Sequence, residues 1–347
     1  MKLRTYAFDL RLQYPFGISR GTSTVSRTVV AELTAEGVSG FGEAGENSYY
    51  GVTIPTLVES LEGISHWLEN QPLAPPEELW PELARRLNGD TFALCALDCA
   101  LHDLWGKIRG EPVWKRWGLN LERLPPSDYT IGIDTPEVMV AKLRAMPNWP
   151  VYKIKLGTPY DLEIVRLLRA ETDAVFRVDA NGAWSAEEAA RKIEVLATLG
   201  VELVEQPLPA QDWEGAAWLF SRTPIPLFAD ESCRTEEDLP KCEGCFHGVN
   251  IKLVKCGGLT PARRLAEQAR RRGFRVMVGC MTESTIGISA AAQLLPLVDV
   301  ADLDGAVLLA EDLAEGVRVE KGRVLFPDRP GCGIVPTFAR PPVGEER

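Results

Sequence analysis

From Asp128 onward the chain repeats one unit, and this repeat constrains the fold more than any other feature. Eight short strand-like runs (YTIGI, VYKIKLG, VFRVDANG, VELVEQP, PLFADES, VNIKLVKCGG, FRVMVGCM and VDVADLDG) recur at intervals of roughly 23 to 26 residues. Most are separated by helix-like segments with start and stop signals. Ser185 with Glu188 reads as a capping box, Thr260 before Pro261 as an N-cap and first-turn proline, and Gly273 as a helix end. Repeated strand–helix units of this size, eight in number, predict a closed parallel barrel. An open doubly wound sheet would use fewer strands and a phosphate-binding glycine motif. No dinucleotide, Walker or G-x-S-x-G fingerprint occurs.

Parallel barrels carry their chemistry at the C-terminal ends of the strands. The charged residue at that end, strand by strand, is Lys155, Asp179, Glu205, Asp230 and Lys255, at intervals of 24, 26, 25 and 25 residues. Three carboxylates on adjacent strands repel one another unless a cation lies between them, and hard oxygen ligands suit Mg²⁺. The lysines flank this trio, two repeats away on either side of Glu205, and should face each other across the barrel mouth. Lys255 is preferred over Lys252, which lies within its strand, because it falls in phase with the other four. Lys153 and Lys155 share a strand face and point inward. Two ammonium groups so close disfavour each other's protonation, which would lower a lysine toward general-base duty. The arrangement suggests removal of a proton beside a metal-held carboxylate by one lysine and its return by the other, inverting the carbon.

Residues up to about 125 follow a different pattern. Leu3–Leu12 and Thr28–Glu36 alternate with period two and predict strands. Between them PFGISRGTSTVSR reads as a mobile loop, and a second loop, GEAGENSYYGVT, follows Phe41. Helical patterns cover Ile54–Glu69, Pro76–Leu87 and Phe92–Lys107, the last apolar almost all round and hence buried. The expected organisation is an α+β capping domain over residues 1–125 and a barrel over 126–308. A hairpin-like segment over 309–347 returns to the cap and ends in a frayed PPVGEER tail.

With 347 residues, 45% hydrophobic and 25% charged, the composition excludes disordered, collagenous and coiled-coil classes. A net charge of −11 argues against nucleic-acid and anionic-membrane partners. No apolar run approaches the ~20 residues needed to span a bilayer, and the N-terminus lacks a signal peptide's apolar stretch. Eight cysteines in a chain this long make no disulfide framework, so reducing cytoplasm is the expected compartment. CEGCFH (242–247) is only half a zinc site, and the three histidines form no triad.

The motifs KIK (153–155), VDANG (178–182), EQP (205–207), ADES (229–232) and NIKLVKCGG (250–258) resemble the muconate-lactonizing subgroup of the enolase superfamily. The resemblance covers nearly the whole chain and implies a (β/α)₇β TIM-like barrel under an α+β cap, with Mg²⁺ as cofactor. MVGCMTES (277–284) and DLD (302–304) are similar to the dipeptide epimerase branch, which includes L-Ala-D/L-Glu epimerases. The implied activity is epimerisation of a dipeptide at the α-carbon of its C-terminal residue, through an enediolate. Lys155 and Lys255 would be the acid/base pair, Asp179, Glu205 and Asp230 the metal ligands, and Lys153 a substrate-positioning group. The resemblance also implies that Asp302 and Asp304 hold the dipeptide's ammonium and that Thr130 and Glu283 line the substrate. Arg20 in the first loop could pair with an acidic side chain, and Tyr49 and Tyr50 lie in the second. A homo-oligomer is expected. A cycloisomerase, an o-succinylbenzoate synthase, an N-acylamino acid racemase and a non-catalytic ligand-binding barrel remain as alternatives.

Overall fold

The computed structural model describes residues 1–339; the PPVGEER tail lies outside the described residues. The chain begins with an antiparallel sheet of three strands in sequential order: β1 (Lys2–Ile18), β2 (Gly21–Ala35) and β3 (Val38–Gly45). The expected mobile loop between the first two strands is a continuation of their hairpin. Pairing resumes after an irregularity between Arg11 and Phe16 and runs to Ile18↔Gly21, leaving Ser19 and Arg20 as a two-residue tip. Alternation fades over 13–27 because neither face of this stretch packs on the cap core, yet ladder hydrogen bonds still hold it.

Helices α1 (Ile54–Glu69) and α3 (Thr91–Arg109) pack on that sheet, and α2 (Pro76–Arg86) packs on α3. The apolar run 92–107 is buried as its pattern predicts, because α3 lies between the sheet and the barrel. Gly40 and Gly42 on β3 permit this approach, since a Cβ at either would strike the α3 backbone.

The eight predicted barrel strands all form. They are β4 (Tyr129–Ile131), β5 (Val151–Lys155), β6 (Val175–Asp179), β7 (Val201–Glu205), β8 (Leu227–Ala229), β9 (Gly248–Ile251), β10 (Arg275–Gly279) and β11 (Val300–Asp302). They hydrogen-bond in sequential order, every pair parallel, and a bridge from Ser127 to Ala301 joins the first strand's entry to the last. The register sets Lys155 opposite Asp179 and Asp179 opposite Glu205, so three of the in-phase charges form one layer. Lys153, Arg177 and Leu203 form the next layer in the same way.

Two start signals act differently from expectation. Ser185 does cap its helix, accepting from the Glu188 amide at 3.2 Å, but its hydroxyl pairs with Glu187. The helix Leu259–Arg271 starts from Gly258, and Thr260 sits inside its first turn. The cap comes instead from α3: Asp98 accepts from the Thr260 amide at 2.8 Å and from its hydroxyl at 2.7 Å, and His102 Nε2 lies 2.9 Å from that hydroxyl. Burial pushes the Asp98 carboxyl up to about 7 and holds His102 down at about 4. Asp98→Ala would leave buried donors unpaired, at an expected cost of about 2–4 kcal/mol of unfolding free energy. Urea denaturation measures it; a loss under about 0.5 kcal/mol, the range of a neutral surface change, would deny the network a stabilising role.

After Leu308 the chain makes a hairpin, Arg318–Glu320 with Arg323–Leu325, turned by Lys321 and Gly322 in the left-handed region. It then returns to the N-terminal elements. Gly331 exchanges backbone bonds with Glu111 and Val113, the Cys332 amide donates to Asp103, and Phe338 packs on Tyr6 and Phe8.

Candidate active site

The mouth of the barrel and the cap hairpin enclose a cavity of about 580 Å³, within the range that binds small molecules. Its barrel side presents Thr130, Lys155, Asn181, Asp230, Glu231, Lys252, Asp302 and Asp304, and its cap side Phe16, Ile18, Arg20 and Tyr49. The backbone is forced beside the acids. Asn181 and Gln206, each just past an acid-bearing strand end, have φ of 45° and 34°. Gln206 repays this by accepting from the amides of Asp230 and Ser232 at 3.0 and 3.1 Å, which fixes the loop after β8 against β7.

Asp179, Glu205 and Asp230 converge, with one oxygen of each within 4.8 Å of the others, and all three are buried. Burial raises Glu205 to about 7, and the charges of Asp179 and Asp230 add to the shift. The trio therefore carries repulsion that a cation would relieve. Three hard oxygen donors on three rigid strand ends fit a small divalent ion.

Lysines supply counter-charge to the trio. Lys155 Nζ lies 2.6 Å from Asp179, and Lys252 Nζ 2.8 Å from Asp230 Oδ2. Lys153, one layer deeper, contacts Asp302 at 2.6 Å, Glu205 at 2.7 Å and Asp179 at 3.3 Å. The expected mutual lowering of neighbouring lysines is corrected here. Burial disfavours the Lys153 ammonium, but those carboxylates outweigh it and push its pKa well above the ordinary value. Lys252 is raised in the same way by Asp230 and Glu205 against burial.

Lys255, expected across the mouth from Lys155, does not reach the cavity and is 0% exposed. The strand ends at Ile251, so Lys252 occupies its mouth-side tip, and Lys255 belongs to a one-turn helix, Leu253–Cys256, that carries it behind Asp230. Alternation was the sequence signal for this placement. Asn250 reaches Glu205 inside the barrel at 2.8 Å, and Lys252, two residues on, shares its face, as Lys155 shares that of Lys153.

Thr130 lines the cavity, and its amide donates to Asp304 at 2.5 Å. Asp302 and Asp304 both line it too, with Cys280 close enough to complete a three-ligand cluster. Burial opposes ionisation of Asp302, but Lys153, Lys155 and Lys252 hold it at about 2; burial and Asp302 raise Asp304 to about 7. Glu283 is a second correction. Its carboxylate turns back to accept from the Met281 amide at 2.8 Å, away from the cavity, and burial with Glu43 nearby raises it to about 8. Glu43 of β3 takes the amides of Ser284 and Gly287 at the start of the helix Thr285–Ala292, while Glu283 closes the turn before it.

Arg20, at the hairpin tip, spans cap and barrel. It donates to Glu231 at 2.7 Å and to the Asn181 carbonyl at 2.9 Å, and lies 4.4 Å from the centre of the Tyr49 ring. Neither Glu231 nor Asn181 was singled out from sequence; both follow one of the three converging acids at a strand end, which was the available signal.

A capped parallel barrel with three converging carboxylates between opposed lysines defines an enolase-like enzyme. Residues 2–118 match the mandelate racemase / muconate lactonizing enzyme N-terminal domain, and residues 138–339 the enolase C-terminal domain-like model. The chain belongs to the mandelate racemase / muconate lactonizing enzyme family. It is 48% identical over 334 residues to a Flavobacterium johnsoniae protein named L-Ala-D/L-amino acid epimerase, spanning 96% of this chain and 99% of that one. The substrate-liganded L-Ala-D/L-Glu epimerase from Bacillus subtilis superposes with a TM-score of 0.92 at 28% identity, covering 97% of this chain and 100% of that one. A dipeptide epimerase from Enterococcus faecalis, complexed with Mg and L-Leu-L-Tyr, gives 0.89 at 29% identity, with 96% and 98% covered.

Proposed function

We propose that this protein is a magnesium-dependent dipeptide epimerase that inverts the α-carbon of the C-terminal residue by two-base proton transfer, with Lys155 and Lys252 as the bases. The observation that carries the reading is their placement. β5 and β9 are four strands apart in an eight-strand ring, so the two ammonium groups approach the cavity from opposite sides, with the acid trio between them. Magnesium held by Asp179, Glu205 and Asp230 would polarise the substrate carboxylate and make the adjacent C–H acidic. One lysine then takes the α-proton, and the other returns a proton to the opposite face. Lys153 supplies fixed positive charge beneath the carboxylate. Asp302 and Asp304 provide the anionic wall that a dipeptide's free ammonium requires. Arg20 and the Tyr49 ring are assigned to the C-terminal side chain; an acidic one would compete with Glu231 for the guanidinium.

The test incubates the protein with Mg²⁺ and a library of L,L-dipeptides in D₂O and reads deuterium by mass spectrometry. One deuteron at the C-terminal residue, with the L,D product appearing, is the expected result. The same library run on Arg20→Ala should lose acidic C-terminal residues preferentially. Absence of exchange with every dipeptide, together with turnover of a cyclising or dehydrating acid, would replace the reading with a lyase of the same fold. Free cysteines throughout the described residues support a cytoplasmic location. A homo-oligomeric state completes the proposal and is checked by light scattering.

A further inference from the structure

Lys255 takes part in no proton transfer in the mechanism above, yet its ammonium is among the most completely engaged groups in the molecule. Nζ lies 2.6 Å from the Asp230 carbonyl, 2.7 Å from Asp230 Oδ1, 2.8 Å from the Asn250 carbonyl and 3.0 Å from the Cys233 carbonyl. Four acceptors share three protons, and Lys255 itself is fully buried. The acceptors come from the ends of β8 and β9 and from the turn between Asp230 and Cys233. No uncharged side chain of that length supplies three donors in so small a volume. Asp230 is thus gripped at two points. Its amide is tied to Gln206, and its carbonyl and Oδ1 to Lys255, which leaves Oδ2 directed at Lys252 and the cavity.

We propose that Lys255 is a positioning residue that presets the Asp230 carboxylate for the metal, so that the cation meets an oriented ligand. The proposal rests on Asp230 being a metal ligand. Its energetic logic is that of groups bonded to metal ligands generally: they orient the donor before the ion arrives, and losing one weakens binding about 10- to 100-fold. The ligand rotamer, and not the chemical step, is what Lys255 controls.

The experiment measures Mn²⁺ affinity of the intact metal-stripped protein by electron paramagnetic resonance, for wild type, Lys255→Gln, Lys255→Ala and Asp179→Asn. Thermal midpoints identify which variants are folded. Lys255→Gln keeps two N–H donors without the charge and guards against a Lys255→Ala that fails to fold. Lys255→Gln is expected to raise the Mn²⁺ dissociation constant by about tenfold or more. Ethylammonium should restore affinity in Lys255→Ala. At saturating Mn²⁺, Lys255→Gln should still exchange the α-proton of both L,L and L,D dipeptides. An unchanged Mn²⁺ affinity in Lys255→Gln while Asp179→Asn binds weakly overturns the proposal alone. Loss of exchange from one diastereomer only, at saturating metal, would make Lys255 a base and overturn it as well. Unchanged affinity in Asp179→Asn would instead remove the metal-site reading beneath it.

Discussion

Lys155→Ala and Lys252→Ala are each expected to lower epimerisation by about 10²- to 10⁴-fold, the usual contribution of a positioned acid or base. The two losses should differ in kind. With one base gone, the surviving lysine can still remove and return a proton on its own face. Each variant should therefore incorporate solvent deuterium into only one of the two diastereomers, without inverting it. The diastereomer that exchanges in Lys155→Ala should be the one that is silent in Lys252→Ala. This stereochemical split follows from β5 and β9 lying across the barrel from each other. Full inversion by Lys252→Ala would end the two-base assignment. So would loss of exchange from both diastereomers in a variant that still binds Mn²⁺. Lys252→Ala leaves Asp230 its bond to Lys255, so the metal site should survive that substitution.

Removing the metal is the second large effect. Chelation should abolish turnover, with restoration by Mg²⁺ or Mn²⁺, because the trio then lacks the charge that polarises the carboxylate. Stability should respond as well, and its sign follows from Glu205. Its pKa in the metal-free fold is raised from 4.5 to about 7, burial first and Asp179 and Asp230 next. A raised carboxyl stabilises the fold at low pH, where it is neutral in both states, and that contribution is lost as pH rises through about 7. Bound Mg²⁺ cancels the penalty by neutralising the trio. The Mg²⁺-induced rise in thermal midpoint should therefore be larger at pH 8 than at pH 5. At one fixed Mg²⁺ concentration, set at 100 times the pH 8 dissociation constant, it corresponds to about 2.7 kcal/mol at pH 8. Calorimetry at both pH values with and without Mg²⁺ measures it; an equal shift at both would separate the carboxylate repulsion from metal binding.

The barrel was readable in the sequence because a strand–helix unit leaves two periods in one chain, and eight repeats leave little topological choice. Asp179, Glu205 and Asp230 were readable for the same reason, since strand ends at a fixed phase must share a rim. Lys252 and Lys255 show where phase counting stops. A strand one residue shorter and a single helical turn move a side chain from the mouth to the back of its neighbour, and only alternation registers that change. The hairpin tip that carries Arg20 was hidden differently. Its strands pair through backbone alone, and backbone pairing leaves no hydrophobic signature.

Glu43 and Asp98 belong to a third group. Each chooses its partner across the cap–barrel contact, Glu43 at the amides of Ser284 and Gly287 and Asp98 beneath Thr260, over separations that no local pattern spans. By itself, then, the sequence determined the element order, the barrel and the set of chemical groups at its rim, because these follow from local periodicity and chain connectivity. The tertiary structure decided which lysine faces the cavity, which acids cap helices and what holds Asp230 in place. Those choices depend on which buried donors and acceptors must be matched once two domains exclude water between them.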